Sequence, residues 1–185
     1  MKITPFIVTK ADQLRALASP VRSQIMDILR RGEEKSVSEL AGLVGATGPA
    51  THYQVERLVD VGLVVRTGKR RVGPRSESVY RAVSTTIKIP VRPESAEYMA
   101  ALLTLAKTTL RKLEREIEEA HNTLSSAEGA PTVRVIERKG SIRARDLPKL
   151  YALLEEAAHL IRAERTPSGG ISLALHIFAV KLPSD

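Results

Sequence analysis

The fold is decided by residues 36–63, which read SVSELAGLVGATGPATHYQVERLVDVGL. Apolar residues recur at helical spacing on both sides of a central glycine, so the pattern predicts two short helices joined by a tight turn. Ser36 followed three residues later by Glu39 is a capping box, which places the start of the first helix at Ser36. Thr47 is expected to cap the second helix, and Gly62 to end it.

An arginine-rich segment follows this pair of helices. Residues 63–65 lead into a strand and residues 78–83 are its expected return; the whole segment, residues 63–83, is called the wing below. Because residues 66–77 contain glycines and a proline, we predict a long loop rather than a two-residue hairpin turn. The wing carries one acid, Glu77, against the cations Arg66, Lys69, Arg70, Arg71, Arg75 and Arg81.

Two more helices are predicted upstream, over residues 10–18 and from the Ser19-Pro20 pair to Gly32. Each of the four helices has an apolar face that we expect to be buried. These faces comprise Leu14 and Leu17, then Val21, Ile25, Ile28 and Leu29, then Val37, Leu40, Leu43 and Val44, and finally Val55, Leu58 and Val59.

The charge of the chain points to a polyanionic partner. Its 185 residues carry a net charge of +8, and the isoelectric point is near 10.0. Residues 1–85 hold 14 Lys/Arg against 8 Asp/Glu, whereas residues 86–185 hold 15 against 13. The excess of positive charge therefore lies in the N-terminal half, where we expect nucleic acid to bind. One helix there can enter a groove while the basic hairpin contacts phosphates.

Several other classes of function are disfavoured. The chain has no cysteine, which excludes disulfides, thiolate metal sites and cysteine nucleophiles. It shows no nucleophile with a partnered base and no glycine-rich phosphate loop, so we expect no enzyme activity and no cofactor. No stretch reaches the ~18 apolar residues of a membrane span, and we expect a cytoplasmic protein with no membrane partner.

The histidines do not predict a metal site. His121 and His159 each lie about one helical turn after a glutamate, a spacing that is common by chance on exposed helices. His176 lies in an apolar stretch, where a buried core histidine is the expected role.

The second half of the chain is predicted to form a long helix and then a small α/β region. Residues 94–126 would form a helix of ~45 Å, too long to bury its apolar stripe against so small a domain. We expect it to pair with a second copy, although part of the stripe can also pack within one chain. Strands are predicted at residues 132–138 and 171–182, on either side of a helix that starts at Asp146. The stripe comprises Met99, Leu102, Leu103, Ala106, Leu110, Leu113, Ile117 and Leu124.

The predicted fold class is therefore α+β and mainly helical. Residues 1–85 would form a winged helix-turn-helix domain, residues 86–130 a linking and dimerisation helix, and residues 131–185 a C-terminal α/β accessory domain. The accessory domain would serve dimerisation or ligand sensing.

Residues 12–83 resemble the ArsR-like winged helix-turn-helix regulators of bacteria and archaea. The resemblance lies in three segments in the right order and spacing, which read LASPVRSQI (17–25), SVSELA (36–41) and LVDVGLV (58–64). It implies a DNA-binding transcriptional regulator. Members that sense metals carry cysteines beside the third helix; this chain has none, so that form of sensing is not expected.

The resemblance assigns base reading to the second helix of the pair and phosphate contacts to the wing. An alternative for Tyr53 is packing half-buried against the wing, and an alternative for the wing is a merely solvated charged segment. The interpretation requires that His52 and Tyr53 point outward and that the wing cations are not paired with the protein's own acids. The predicted DNA-binding residues are Thr47, Gly48, His52, Tyr53, Gln54, Arg57, Lys69, Arg70, Arg71 and Arg75.

The predicted function is sequence-specific transcription regulation, with repression favoured over activation. The protein would bind double-stranded operator DNA as a homodimer, and its C-terminal part would either extend the dimer or hold a small-molecule effector. The main alternative is a winged-helix interaction or architectural module in a larger nucleoprotein assembly, with non-specific DNA contacts. RNA binding is disfavoured because the chain has no RNP-type aromatic pair and no GXXG clamp.

Overall fold

The computed structural model describes residues 4–72, 75–90, 92, 94–124 and 141–160. The chain divides into two compact units, Met1–Lys112 and Leu113–Asp185. The first unit contains the helix-turn-helix and the wing. The second is described over residues 113–124 and 141–160.

The first unit is built from helices with two small sheets. In chain order its elements are β1 (Phe6–Ile7), α1 (Ala11–Leu17), α2 (Pro20–Leu29), β2 (Lys35–Ser36), α3 (Val37–Val44), α4 (Gly48–Asp60), β3 (Val64–Val72), β4 (Arg75–Ala82), β5 (Ile87–Lys88) and the start of α5 (Ala96–Leu124). Strands β2, β4 and β3 form an antiparallel sheet in that order, and β1 pairs in parallel with β5. The predicted winged helix-turn-helix is confirmed.

The helix-turn-helix begins and turns where the sequence indicates. The Ser36 hydroxyl accepts a hydrogen bond from the Glu39 backbone N–H at 3.3 Å, and the Glu39 carboxylate accepts one from the Ser36 N–H at 2.7 Å. Gly45 ends α3 with a φ of 66°, and Gly62 follows α4 with a φ of 73°. Both backbones are left-handed, which glycine adopts without steric strain. The predicted capping box is therefore confirmed.

The main core lies where α2, α3, α4 and the sheet meet. The predicted residues Ile25, Leu29, Leu40, Val55 and Leu58 are all fully buried in it. Leu17, Val21, Ile28, Val37, Val44 and Val59 are partly buried against the same cluster. Helical spacing alone thus identified most of this core.

The prediction that Leu43 is buried is wrong. Its side chain is 60% exposed, whereas Ala41 is buried. The inward stripe of α3 runs through Val37, Leu40, Ala41 and Val44, which follows the i, i+3, i+4, i+7 pattern of one helix face. Leu43 lies beside that stripe, so its apolar side chain faces solvent.

A second, smaller core joins the N-terminal residues to the start of α5. It contains Val8, Leu14, Tyr98 and Ala101. The Tyr98 hydroxyl lies within hydrogen-bond distance of two backbone carbonyl oxygens, those of Val8 at 3.2 Å and Pro90 at 2.8 Å. Strands β1, β2 and β5 were not predicted, because a strand of two residues carries no alternating pattern.

The prediction of a long loop in the wing is also wrong. Strands β3 and β4 stay paired out to Val72 opposite Arg75, which leaves two residues between them. The register shifts between Arg66 and Gly68, so the glycine marks a bulge within the strand rather than a loop. Exposed strands tolerate long charged side chains, because the ladder is made by the backbone.

The second unit is described as helix. It contains the end of α5 and, after a short 3₁₀ turn at Ala144–Asp146, helix α6 (Leu147–Leu160). The long helix predicted over residues 94–126 is confirmed over Ala96–Leu124. The strands predicted at residues 132–138 and 171–182 lie outside the described residues. No described helix has both the length and the apolar character that a membrane crossing requires.

Candidate nucleic-acid interface

Helix α4, the recognition helix, has one face in the core and another in solvent. Thr51, Val55 and Leu58 are fully buried on the inner side. Tyr53 is 61% exposed and the His52 side chain 56% exposed, so both point outward as the sequence interpretation required. Their contact with DNA stays a prediction.

The recognition helix begins with uncharged residues. Thr47 is the N-cap, and its exposed side chain makes no capping hydrogen bond. Gly48 follows it, and a Cβ built on Gly48 would meet no atom within 4 Å. The first N–H groups of a helix lack intrahelical partners and the helix dipole is positive there, so this end can receive a phosphate closely.

Gln54 is held by a neighbouring helix. Its side-chain carbonyl oxygen accepts a hydrogen bond of 2.9 Å from Arg22 of α2. The same guanidinium donates to the carbonyls of Ala16 at 2.9 Å and Arg15 at 3.3 Å. The Gln54 oxygen is therefore already engaged, and its amide NH₂ is the group left for a base.

Arg57 lies on the exposed side of α4. Its Nη1 is 3.3 Å from the carboxylate of Asp60, three residues further along the helix. An exposed pair of this kind contributes at most about 0.5 kcal/mol, so a phosphate can replace Asp60 as its partner. Burial lowers the pKa of the Arg22 guanidinium, and the nearby charge of Arg57 lowers it further.

The predicted wing residues lie on or next to the two paired strands. Lys69, Arg70 and Arg71 are exposed on β3, opposite Ser78, Glu77 and Ser76. Arg75 is the first residue of β4, and its side chain lies outside the described part of the structure.

Two wing arginines are paired with acids of the helix-turn-helix. Arg66 Nη2 lies 2.9 Å from Glu56 Oε1 of α4, and Arg70 Nη2 lies 2.5 Å from Glu39 Oε2 of α3. Lys69 makes no ion pair with any residue that the structure describes. The requirement that the wing cations be unpaired is therefore not met by Arg66 and Arg70.

The Glu56 carboxylate is the centre of a polar cluster between the recognition helix and the wing. Its Oε1 accepts hydrogen bonds of 2.9 Å from both Arg66 and the Tyr80 hydroxyl, and it lies 3.7 Å from His52 Nε2. The Arg66 guanidinium also lies over the Tyr80 ring, 5.5 Å from its centroid. The cluster thus joins α4 to both strands of the wing.

Charge and burial act together on this cluster. Desolvation raises the pKa of Glu56, but hydrogen bonds from Tyr80 and Arg66 outweigh it, so the pKa falls below its ordinary value and the carboxylate is ionised. Burial raises the pKa of the Tyr80 hydroxyl, and the hydrogen bond to Glu56 raises it further. Glu56 and Arg66 are therefore both charged at neutral pH.

A second set of contacts joins the wing to the start of α3. The Glu77 carboxylate accepts hydrogen bonds from the Ser38 hydroxyl at 2.6 Å and from the Ser38 N–H at 3.3 Å. Glu39, which caps α3, also binds Arg70. The wing is therefore anchored to both helices of the helix-turn-helix.

Sequence reasoning missed Arg22, Glu39 as a wing contact, and Glu56. Glu56 follows His52 by one helical turn and shares its outward side of α4, which is the pattern that could have drawn attention to it. Its partner Arg66 lies on another element, and no local pattern indicates that pairing.

Metal ligation has no support within the described ranges, where no three His, Cys, Asp or Glu residues lie together. The side chains of His121 and His159 lie outside the described part, and so does His176. The roles predicted for these histidines stay predictions.

Comparison with family models agrees with the geometry. Residues 17–67 match the model of a helix-turn-helix domain. The chain carries a winged helix-turn-helix domain. The match covers α2, α3 and α4 and ends in β3 of the wing. Domains of this kind are those of DNA-binding transcription regulators. A comparison with curated proteins found no match.

Solved structures similar to this chain include two bacterial proteins. NolR from Sinorhizobium fredii is 28% identical, over 52% of this chain and 80% of that chain, with a TM-score of 0.33. The transcriptional repressor BigR from Xylella fastidiosa is 27% identical, over 54% of this chain and 83% of that chain, with a TM-score of 0.32. The winged helix-turn-helix domain is assigned from the family match over residues 17–67 and from the observed fold.

Proposed function

We propose that this protein is a sequence-specific transcriptional regulator that binds operator DNA as a homodimer, and that it acts as a repressor. The recognition helix would enter the major groove, and the wing would contact the adjacent phosphates. This goes one step beyond the domain type, which by itself supports a DNA-binding regulator.

The observation that carries the proposal is the outward exposure of His52 and Tyr53 on a helix that is otherwise anchored in the core. Both side chains can donate hydrogen bonds, and the Tyr53 ring can also make apolar contacts with base edges. The helix beneath them is fixed by Val55 and Leu58, so the two side chains are presented from a rigid surface. Such a surface suits a groove rather than a flexible partner.

The charge around that surface supports a phosphate-lined partner. Lys69 extends from the wing without an ion pair in the described part, and Arg57 holds Asp60 only through an exposed contact. Both can neutralise phosphates when the recognition helix is in the groove. The uncharged start of α4 adds helix N–H groups, which can also bind phosphate.

The test is selection of bound duplexes from a random pool with the full-length protein. A regulator should enrich one palindrome, with half-sites about one duplex turn apart, and prefer it to random duplex by ~10³ or more. An architectural module in a nucleoprotein assembly would bind every duplex with the same salt dependence and enrich nothing. That outcome would reject the proposal and support the alternative function.

The proposed dimer rests on α5. Leu103 and Leu110 are 59% and 52% exposed, and Ile117 follows at the same spacing of seven residues. Apolar residues that repeat in this way are typical of helices that pair along a seam. Changing Leu103 and Leu110 to Lys should convert a dimer into a monomer in sedimentation equilibrium; an unchanged mass would reject this interface.

For the C-terminal part we propose a role in controlling operator affinity, through a ligand or through the dimer contact. A shift of the helix that joins two subunits would move both recognition helices together, so a ligand could alter their separation. Operator binding by a truncated but still dimeric protein tests this coupling. Unchanged affinity would show that the C-terminal part has no such role.

A further inference from the structure

The position of Glu56 is unusual for a surface that is meant to face DNA. The residue lies on α4 one turn after His52, and its side chain is 32% exposed. A carboxylate at such a place repels phosphate, and it therefore weakens binding to every duplex. Its presence is best explained by a contact within the protein that outweighs this repulsion.

That contact joins the recognition helix to the wing. Glu56 Oε1 receives one hydrogen bond from Arg66 on β3 and one from Tyr80 on β4, each of 2.9 Å. Arg66 Nη2 also lies 3.3 Å from the Tyr80 hydroxyl, so the three groups close a small ring of polar contacts. Hydrogen bonds that involve a charged group are shorter and stronger than neutral ones, and three mutual contacts restrict all three side chains.

The contacts of Arg70 and Ser38 with the acids Glu39 and Glu77 join the wing to α3 rather than to the recognition helix. Arg70 binds Glu39, and Glu77 binds Ser38, both of which lie at the start of α3. Among the described polar contacts, Glu56 is therefore the residue of α4 that fixes the wing. Val64 and Tyr80 of the wing pack in the main core with Leu58 of α4, so losing Glu56 would keep that packing but remove the polar contact that fixes the angle between the wing and α4.

We propose that Glu56 is a positioning residue that sets the wing relative to the recognition helix, and that this setting determines how strongly the protein prefers its operator to other duplexes. The inference rests on the proposed function. Base contacts by α4 and phosphate contacts by the wing must be made on one duplex at one fixed separation. Binding to random duplex needs only positive charge, so a looser wing costs it nothing.

The two kinds of binding should respond to the loss of Glu56 in opposite directions. Glu56→Ala removes a negative charge, so affinity for a scrambled duplex should rise slightly. Affinity for the duplex selected by the wild-type protein should fall about tenfold, the equivalent of one charged hydrogen bond. The ratio of the two affinities, measured by fluorescence anisotropy on both duplexes, should therefore fall more than tenfold.

Asp60→Ala is the matched control. Asp60 lies on the same helix, is exposed, and pairs with Arg57 rather than with the wing. The substitution removes the same charge, and affinity for both duplexes should rise together with little change in their ratio. Glu56→Gln keeps an acceptor oxygen for Tyr80 and Arg66, so it should recover most of the ratio that Glu56→Ala loses.

A measurement without DNA gives a second readout. Amide hydrogen exchange in β3 and β4 should become faster in Glu56→Ala, but not in Asp60→Ala, while circular dichroism shows that both variants stay folded. An unchanged ratio in Glu56→Ala would overturn the proposal. So would an equal loss in Glu56→Gln and Glu56→Ala, since charge rather than positioning would then be the cause.

Failure of the regulator hypothesis gives a different pattern from failure of this inference. If the wild-type protein enriches no sequence, the proposed function and the role of Glu56 in preference both fail, whatever the exchange data show. If the wild-type protein enriches a palindrome and Glu56→Ala keeps its preference, only the role of Glu56 is rejected.

Discussion

The recognition helix and the wing both present polar side chains to solvent, but they differ in how many of these are already bound within the protein. On α4, His52 and Tyr53 are exposed and point away from the core. On the wing, Arg66 and Arg70 are held by acids of the two helices. Helical periodicity therefore indicates which way a side chain points, whereas a count of charges does not indicate how many of them are free of partners within the protein.

The difference has a physical origin. A helix anchored by apolar residues at every third or fourth position has its outward face fixed by its own sequence. A two-stranded hairpin has no core of its own and must be held by contacts with other elements. The base of the hairpin packs in the main core through Val64, Tyr80 and Ala82, and β4 pairs with β2. Salt bridges and hydrogen bonds to α3 and α4 hold it further and engage Arg66 and Arg70.

The largest effect is expected from truncating a side chain that anchors the recognition helix in the core. Leu58→Ala should lower the free energy of unfolding by about 2–5 kcal/mol, because the fully buried side chain leaves a cavity. Leu43→Ala makes the same change at a residue that is 60% exposed and should cost less than about 1 kcal/mol. Urea denaturation measures both; equal losses would contradict the exposure assigned to Leu43.

Next in size is the loss of an outward side chain from α4. Tyr53→Ala should reduce the preference for the selected duplex about tenfold, since a base contact is lost without a change in charge. Affinity for scrambled duplex should stay the same. Tyr151→Ala, at an exposed tyrosine of α6, is the control and should change neither affinity. A loss on both duplexes would point to a general role for Tyr53 rather than to base reading.

A substitution on the inner face of α4 should raise the stability of the protein rather than lower it. Within the described residues, Thr51 Oγ1 is a buried side-chain oxygen without a hydrogen-bond partner. A buried polar group without a partner costs about 1–3 kcal/mol, so Thr51→Val should raise the free energy of unfolding by roughly 1 kcal/mol. Thermal and urea unfolding would show this. Lower stability in Thr51→Val would mean that the hydroxyl has a partner in solution.

The wing itself can be tested by the salt dependence of binding. If Lys69 contacts a phosphate, Lys69→Ala should reduce the slope of log K against log salt by about 0.9 per subunit. Arg70→Ala should reduce it less, because Arg70 already neutralises Glu39 in the free protein. Equal reductions would show that Arg70 leaves Glu39 for a phosphate on binding. The paired cation of the wing would then be as available to DNA as the exposed side chains of α4.

The smallest expected effect concerns the pH dependence of stability. Hydrogen bonds hold the pKa of Glu56 below its ordinary value of 4.5 despite desolvation. Its stabilising contribution is therefore complete above the unfolded-state pKa and is lost as pH falls through the lower, folded-state pKa. The difference in stability between the wild-type protein and Glu56→Gln should shrink between neutral pH and about pH 3 in urea titrations. A difference that does not change with pH would mean that the carboxylate is not stabilised by its ionic contacts.

The fold of the helix-turn-helix could be predicted because its signals are local. The capping box at Ser36 and the glycines at the two helix ends occur within a few residues of the structure they specify. The position of the wing could be predicted, but the extent of its strands could not. The glycines of the wing predict a loop, whereas in the structure Gly68 lies at a bulge within β3. The short strands had no signal of their own, because each depends on a partner distant in sequence.

In the candidate site, too, local features could be predicted, whereas contacts between different elements could not. The outward direction of His52 and Tyr53 followed from the apolar spacing of α4. The engagement of Gln54 by Arg22, and of Arg66 by Glu56, joins residues on different elements. Such pairs are set by how the elements pack, and a single sequence contains no period that reveals them.

Spacing and charge along the chain were enough to predict the helices, their ends and the position of the basic hairpin, and they favour a polyanionic partner. Which cations the protein's own acids bind, and how the hairpin is fixed to the recognition helix, depends on tertiary contacts. The physical reason is that an ion pair needs two groups within a few ångströms, and only folding brings α3, α4 and the hairpin that close together.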